Sequence, residues 1–357
     1  MNAPPSDVTH ARCGGRGQVL SYRAVASIWK AALVGALAVS LVACGDDDAE
    51  PEWQVVHSDL DGALMSVWAA SPDDVWAVGA DPGGGPTVLR FDGESWTQEA
   101  TGASGGLWWV FGFAGGPVYA GGEGGLILRY QGGSFEQMQT PGNGTVFGMW
   151  GASASDMWAV GGNLGGGNGA FAWRLDGDEW VEADGFPTEL ADANAIWKVF
   201  GRAANDVYFV GTNGTVLHHD GSQFEAEDAG TTRGLFTVHG TADRLTAVGG
   251  FGTGMLIERD GAGWHIATPD NASQLIGVFE SEGDGYAVGV DGVVYRRKAG
   301  GNAWAQEQTR TGVIWPLHAV CIDSDGGVWA VGGQVLSAPF VSGVMIHKGM
   351  EIAGGLP

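Results

Sequence analysis

The chain is short of charge, and above all of positive charge. Only 16 % of its 357 residues are Asp, Glu, Lys or Arg, against roughly 25 % in an ordinary soluble protein. Few lysines and glutamates leave little from which to build solvated helical faces. With 17 basic against 41 acidic residues the chain carries −24, so a polyanion is repelled at long range and nucleic acid is not an expected partner. Cysteine occurs three times, at Cys13, Cys44 and Cys321, too few for a disulfide framework. The one strongly apolar run, Ala31 to Ala43, has 13 residues, well short of the ~20 that a spanning helix needs.

What is abundant is glycine and aromatic side chain. Sixty-four glycines without an every-third-residue period exclude collagen, and 36 aromatics, 16 of them Trp, exclude disorder for want of apolar material. Much glycine, many aromatics and few helix formers make an all-β composition.

The N-terminus reads as an address. Arg12, Arg16, Arg23 and Lys30 precede Ala31 to Ala43, which has the length of a signal h-region. The run ends Leu41-Val42-Ala43-Cys44, followed by Gly45-Asp46-Asp47-Asp48, and resembles the lipobox of bacterial lipoproteins. That resemblance implies cleavage before Cys44, a diacylglyceryl group on its sulfur, and a membrane anchor in a bacterial cell envelope, periplasmic or at the outer-membrane surface. Residues 1–43 are then a signal peptide and 44–51 an acidic tether. Four basic residues and one acidic residue precede Cys44, so the remainder carries −27.

Self-alignment shows one unit seven times. Asp74-Val75-Trp76-Ala77-Val78-Gly79 returns most clearly at Asp156 to Gly161, Asp206 to Gly211, Gly285 to Gly289 and Val328 to Gly332, with weaker copies at Val118 and Leu245. The 253 residues from Gly79 to Gly332 cover six intervals, a mean of about 42. Each unit holds four short β-type runs, and Asp92-Gly93, Asp176-Gly177, Asp220-Gly221 and Asp260-Gly261 mark hairpins between the third and fourth. Such Asp-Gly pairs predict type I′ turns with positive φ at both central residues. Four strands per unit, seven times, predict a seven-bladed β-propeller over residues 52–357. Trp96, Phe135, Trp180, Phe224, Trp264 and Trp304 open six fourth strands. Trp53 stands ahead of the first unit with no blade of its own, so the N-terminal strand is expected to complete the seventh blade; Met350-Glu351-Ile352 is the competing candidate.

The unit Val-Trp-Ala-Val-Gly, followed by an apolar-Leu-Arg-aromatic strand and Asp92-Gly93-Glu94-Ser95-Trp96, resembles the Asp-box repeats of sialidase-like propellers and of photosystem-assembly-factor propellers. The likeness covers nearly all of residues 53 to 349 and implies a scaffold, which does not fix a function.

Signals for chemistry are weak. Gly102-Ala103-Ser104-Gly105-Gly106 fits G-x-S-x-G but lies in an inter-blade loop rather than a strand-turn-helix. None of Lys198, Lys298 and Lys348 completes a phosphate-binding loop. His218 and His219 are adjacent in a strand and point to opposite faces, and His239 and Cys321 occupy packed first-strand positions, so no metal or cofactor is expected. Arg90, Arg129, Arg174, His218, Glu258, Arg296 and His347 share one third-strand register, one per blade. Spread in this way they pair with acidic neighbours and do not converge on one anion. Met65, Trp108, Phe147, Trp197, Phe236, Ile276 and His318 open the first strands near the channel mouth, with Trp109 and Trp315 close by. Of these, Trp108, Trp109, Phe147, Trp197, Phe236 and His318 form the expected binding face, for an unknown protein or glycan ligand. Packing between blades is the other reading of the same rings. The expected protein is a non-catalytic, lipid-anchored binding or scaffolding propeller; a glycan hydrolase of sialidase-like type is the alternative.

Overall fold

Each repeat folds as a four-stranded antiparallel sheet because its alternating apolar runs have one face to bury on either side. The computed structural model describes residues 50–163, 169–187, 190, 195–352 and 355–356, and the expected lipidation at Cys44, the expected signal peptide and all but the end of the tether lie outside them. Residues from Glu50 onward form one unit. The described residues make seven such sheets. Blade 1 runs Leu64–Ser71, Asp74–Gly79, Val88–Phe91 and Trp96–Gln98, from the axis outward, and the other blades repeat it. The innermost strands, Leu64–Ser71, Leu107–Gly112, Thr145–Ser153, Ile196–Ala203, Leu235–Gly240, Leu275–Glu280 and Leu317–Ile322, each pack on the next, and the seventh packs on the first. The molecule is a closed seven-bladed β-propeller.

Closure uses the N-terminal strand. Trp53–Leu60 pairs antiparallel with Gly343–Lys348 as the fourth strand of blade 7. Trp53 faces Lys348 across the ladder as Trp96 faces Phe91 and Trp304 faces Arg297. Met350 to Ile352 is not a strand: Met350 is exposed, and Ile352 tucks its side chain into the core between blades 7 and 1.

The glycine that ends every Val-Trp-Ala-Val run has a steric cause. Opposite it stands the first residue of the inner strand, as in Leu64↔Gly79, Ile196↔Gly211 and Leu317↔Gly332. A Cβ on Gly79, Gly122, Gly161, Gly211, Gly249, Gly289 or Gly332 would lie 1.9–2.4 Å from the carbonyl oxygen of the residue just before the one it faces. The backbone there is extended, with φ −156° at Gly211, so close approach rather than left-handed geometry demands glycine.

The Asp-Gly hairpins depart from the expected type I′ geometry. Positive φ falls on Gly93 (93°) and Gly221 (94°) but not on the preceding aspartates. The aspartate instead opens the turn and caps it: Asp92 Oδ1 accepts the N–H groups of Glu94 and Ser95, and Asp220 Oδ1 those of Ser222 and Gln223. These bonds hold Asp92 below the usual range, and the Ser222 hydroxyl, which donates to Asp220 at 2.7 Å, joins them in holding that carboxyl at about 2 and contributes most.

The third-strand register is a ladder of side chains over the second-strand aromatics. Arg90 lies opposite Trp76 with its guanidinium 5.0 Å from the ring, Arg174 lies 4.2 Å from Trp158, and His218 stacks on Tyr208. Arg174, His218 and Arg296 also bond Asp156, Asp206 and Asp284 at the start of the second strand. Arg90 meets the Tyr130 hydroxyl instead, at 3.2 Å.

Several histidines are enclosed among apolar groups and so are held neutral. Burial pushes His57, His318 and His347 down to about 4 and His239 to about 3. The unfolded chain, titrating near 6.5, then binds more protons than the fold between about pH 6.5 and 4. Stability should therefore be complete above about pH 6.5 and fall by a few kcal/mol as the pH drops toward 4. Denaturant unfolding at a series of pH values measures that slope, which His57→Gln should flatten.

Candidate functional site

The inner strands do not run straight into the channel mouth. In all seven, the pairing slips near the start of the strand: Leu64/Ser66, Leu107/Trp109, Val146/Gly148, Ile196/Lys198, Leu235/Thr237, Leu275/Gly277 and Leu317/Ala319. The residue between is the extra one of a β-bulge, a device that re-aims a side chain. Those seven residues are Met65, Trp108, Phe147, Trp197, Phe236, Ile276 and His318. The sequence placed them at one register; the bulge that turns them together has no sequence signal of its own.

Their rings meet in series. Trp108 lies 5.3 Å from Phe147 and 6.0 Å from His318; Phe147 lies 4.8 Å from Trp197, and Trp197 6.0 Å from Phe236. Together with Ile276 they line a cavity of about 200 Å³. The structure thus brings together Trp108, Phe147, Trp197, Phe236 and His318. Trp109, expected beside them, turns away, because past the bulge the pleat resumes and points it into the wedge between blades 2 and 3. There its indole N–H donates to Met149 O at 2.8 Å. Trp315 packs against the core between blades 6 and 7.

Four wall residues come from loops that the repeat pattern does not describe. Phe251 stands 68 % exposed at the tip of blade 5's loop. Val335, Leu336 and Phe340 come from the ten-residue connection 333–342 of blade 7, with Phe340 5.5 Å from Trp108. Unequal connections between second and third strands were the available signal. Blades 2, 4 and 6 use tight turns, Glu123–Gly125, Thr212–Gly214 and Val290–Gly292. The remaining wall includes Thr237, Gln274 and Lys198. Lys198 sits where the other repeats have Ser66, Trp109, Gly148, Thr237, Gly277 and Ala319, and its charge at that register was the clue left unread. It is 5 % exposed, donates to Phe147 O at 2.7 Å and stands 3.7 Å from the Trp109 ring centre. Its stem runs over Gly148, where a Cβ would come within 3.0 Å. Desolvation pushes its amine down to about 7.

A wider depression of about 770 Å³ adjoins this cavity, sharing Trp108 and Phe340 and carrying Asp61, Asp81 and Glu123. Two of these carboxylates shape loops. Asp81 accepts the N–H groups of Gly83, Gly84, Gly85 and Gly105, which hold it below the usual range, and Glu123 accepts that of Gly106. The G-x-S-x-G segment is thereby a turn pinned by acids, and Ser104 is exposed in a loop followed by a strand. No group of three or more potential metal ligands occurs among the described residues. His218 bonds Asp206 at 2.9 Å while His219 accepts the Gly221 N–H, on opposite faces. Cys321 is buried, its thiol pushed up by desolvation.

No family model and no curated protein matches the sequence. Solved structures do. The WD40 propeller domain of Doa1 is similar at 14 % identity and TM-score 0.62, over 85 % of this chain and 99 % of that one. YCF48 bound to a D1 peptide is similar at 14 % and 0.63, over 85 % and 100 %. A GH74 xyloglucanase from Xanthomonas campestris is similar at 17 % and 0.58, over 82 % of this chain and 55 % of its own. At such identities the likeness is one of fold, shared by a protein solved with a bound peptide and a xyloglucanase alike.

Proposed function

We propose that this propeller is a non-catalytic binding or scaffolding protein of a bacterial cell envelope, anchored through a lipid on Cys44, that takes an apolar group of a protein or glycan ligand at its channel mouth. The observation that carries the reading is the ring of bulged residues, which turns Trp108, Trp197, Phe236 and His318, each half-buried, toward one cavity, with Phe147 buried between Trp108 and Trp197. That YCF48 was solved with a bound peptide lends support to a peptide-binding role for such a scaffold. Against a hydrolase stands the use of Asp81 and Glu123 as loop anchors: glycoside hydrolysis needs two free carboxyls, one of them with a raised pKa.

Glycan and peptide arrays probed with a form lacking residues 1 to 44 test the binding role. Trp108→Ala with Trp197→Ala should abolish capture, while each single change costs only about 1 kcal/mol in thermal melts. Losses of about 3–5 kcal/mol for each, as for core aromatics, would retire the reading. The anchor has its own test: Cys44→Ala should release the protein from membranes or stall its processing, and unchanged membrane partition with normal cleavage counts against lipidation.

A further inference from the structure

Lys198 is out of place by every compositional measure of this chain. Acidic residues outnumber basic ones 41 to 17, yet among the described residues no Asp or Glu lines the aromatic cavity and Lys198 is the charged side chain on its wall. Among the described residues it makes no ion pair, while its equally buried counterpart Lys348 is paired with Glu307 at 2.8 Å. One of its three donors is used, by Phe147 O. Beside it, the indole N–H of Trp197, another wall residue, finds no acceptor among the described residues. A buried ammonium without a counter-ion costs free energy that a bound anion recovers.

On this basis, and resting on the reading of the mouth as a binding site, we infer that the cavity takes an apolar group ending in a carboxylate, whose charge is met by Lys198. The size fits a small ligand: about 200 Å³ holds one ring or branched side chain and its acid, less than the roughly 300 Å³ at which drug-sized sites begin. The rings of Trp108, Phe147 and Phe236 supply the apolar contact, and the charge-assisted bond supplies the selectivity. Since burial alone holds the lysine near neutrality, the site is charged below about pH 7 and loses its attraction for anions above it. His318 on the facing strand and His239 on the adjacent blade stay neutral through that range.

The experiment is calorimetric titration of the full chain in detergent with 3-phenylpropionate and with 3-phenylpropionamide, which has the same shape without the charge. At pH 6.5 the acid should bind about tenfold to a hundredfold tighter, the range for a hydrogen bond to a charged group. The preference should vanish at pH 9, in Lys198→Met, and in Lys198→Gln, which keeps a donor for Phe147 O. Ala-Ala-Phe places the same ring and carboxylate at the end of a peptide. Tighter binding of the tripeptide assigns the site to chain termini, and tighter binding of phenylpropionate to free acids. Equal binding of acid and amide, or a preference that survives both variants, overturns the role of Lys198 and leaves the mouth a binding site. Failure of every probe overturns the cavity reading itself, and this inference with it.

Discussion

Deleting residues 50–60 is expected to destabilise the ring by more than about 5 kcal/mol and to make the protein self-associate. The deletion removes the whole fourth strand of blade 7, including Trp53 and Val56, 8 % and 5 % exposed. One large core aromatic alone is worth about 3–5 kcal/mol. It also strips Glu50 from Arg296, a contact of 2.6 Å that helps hold that glutamate down to about 2. Left behind is Gly343–Lys348 as a buried strand with an unpaired edge, a template for another copy. Truncation after Gly349 is the contrast, since among the described residues it removes one buried side chain, Ile352, and the half-buried Leu356 on the same core, and should cost only about 2–3 kcal/mol. Thermal melts and size-exclusion chromatography of the two truncations read both effects; a 50–60 deletion that melts like the parent and stays monomeric would place closure elsewhere.

Gly332→Ala should be nearly as severe for one methyl group. The new Cβ would stand 1.9 Å from Pro316 O and 2.8 Å from Leu317 Cα, backbone atoms that cannot step aside, and the Gly333 N–H bond to that same oxygen would be lost as they parted. A cost of at least about 3 kcal/mol is expected, at the upper end for point substitutions. Gly84→Ala, where nothing lies within 4 Å of the new atom, should be neutral to about 0.5 kcal/mol. Similar denaturant midpoints for the two would mean that the repeat's glycine has some other cause.

The architecture was legible because its determinants repeat. Seven copies of a Val-Trp-Ala-Val-Gly run fix strand number and spacing whatever each strand's local ambiguity, and the orphan Trp53 marked the closing strand. The glycine was visible as a pattern, but its reason is a carbonyl brought in from another strand. The cavity at the channel mouth was legible only in part. Trp108 and Trp197 were found by register, yet Trp109 was grouped with them because a bulge shifts direction without changing composition. Phe251 and Phe340 lie in connections that repeat alignment discards as gaps. Lys198 was weighed only against a phosphate-loop motif, when its meaning came from the six uncharged residues that share its register.

The turns between second and third strands change form from blade to blade. They are tight in blades 2, 4 and 6 and longer in 1, 3, 5 and 7, at 80–87, 163–170, 250–254 and 333–342. An even ring could keep that alternation all the way round, but an odd one must break it once. The break falls where the last blade meets the first, setting the loops 80–87 and 333–342 side by side, and the 770 Å³ depression is lined by both. Parity thus gives the rim a single seam and fixes a direction around an otherwise repeating circle. A ligand larger than one ring would be oriented by that seam, its deep end among the aromatics and its remainder lying toward blades 7 and 1.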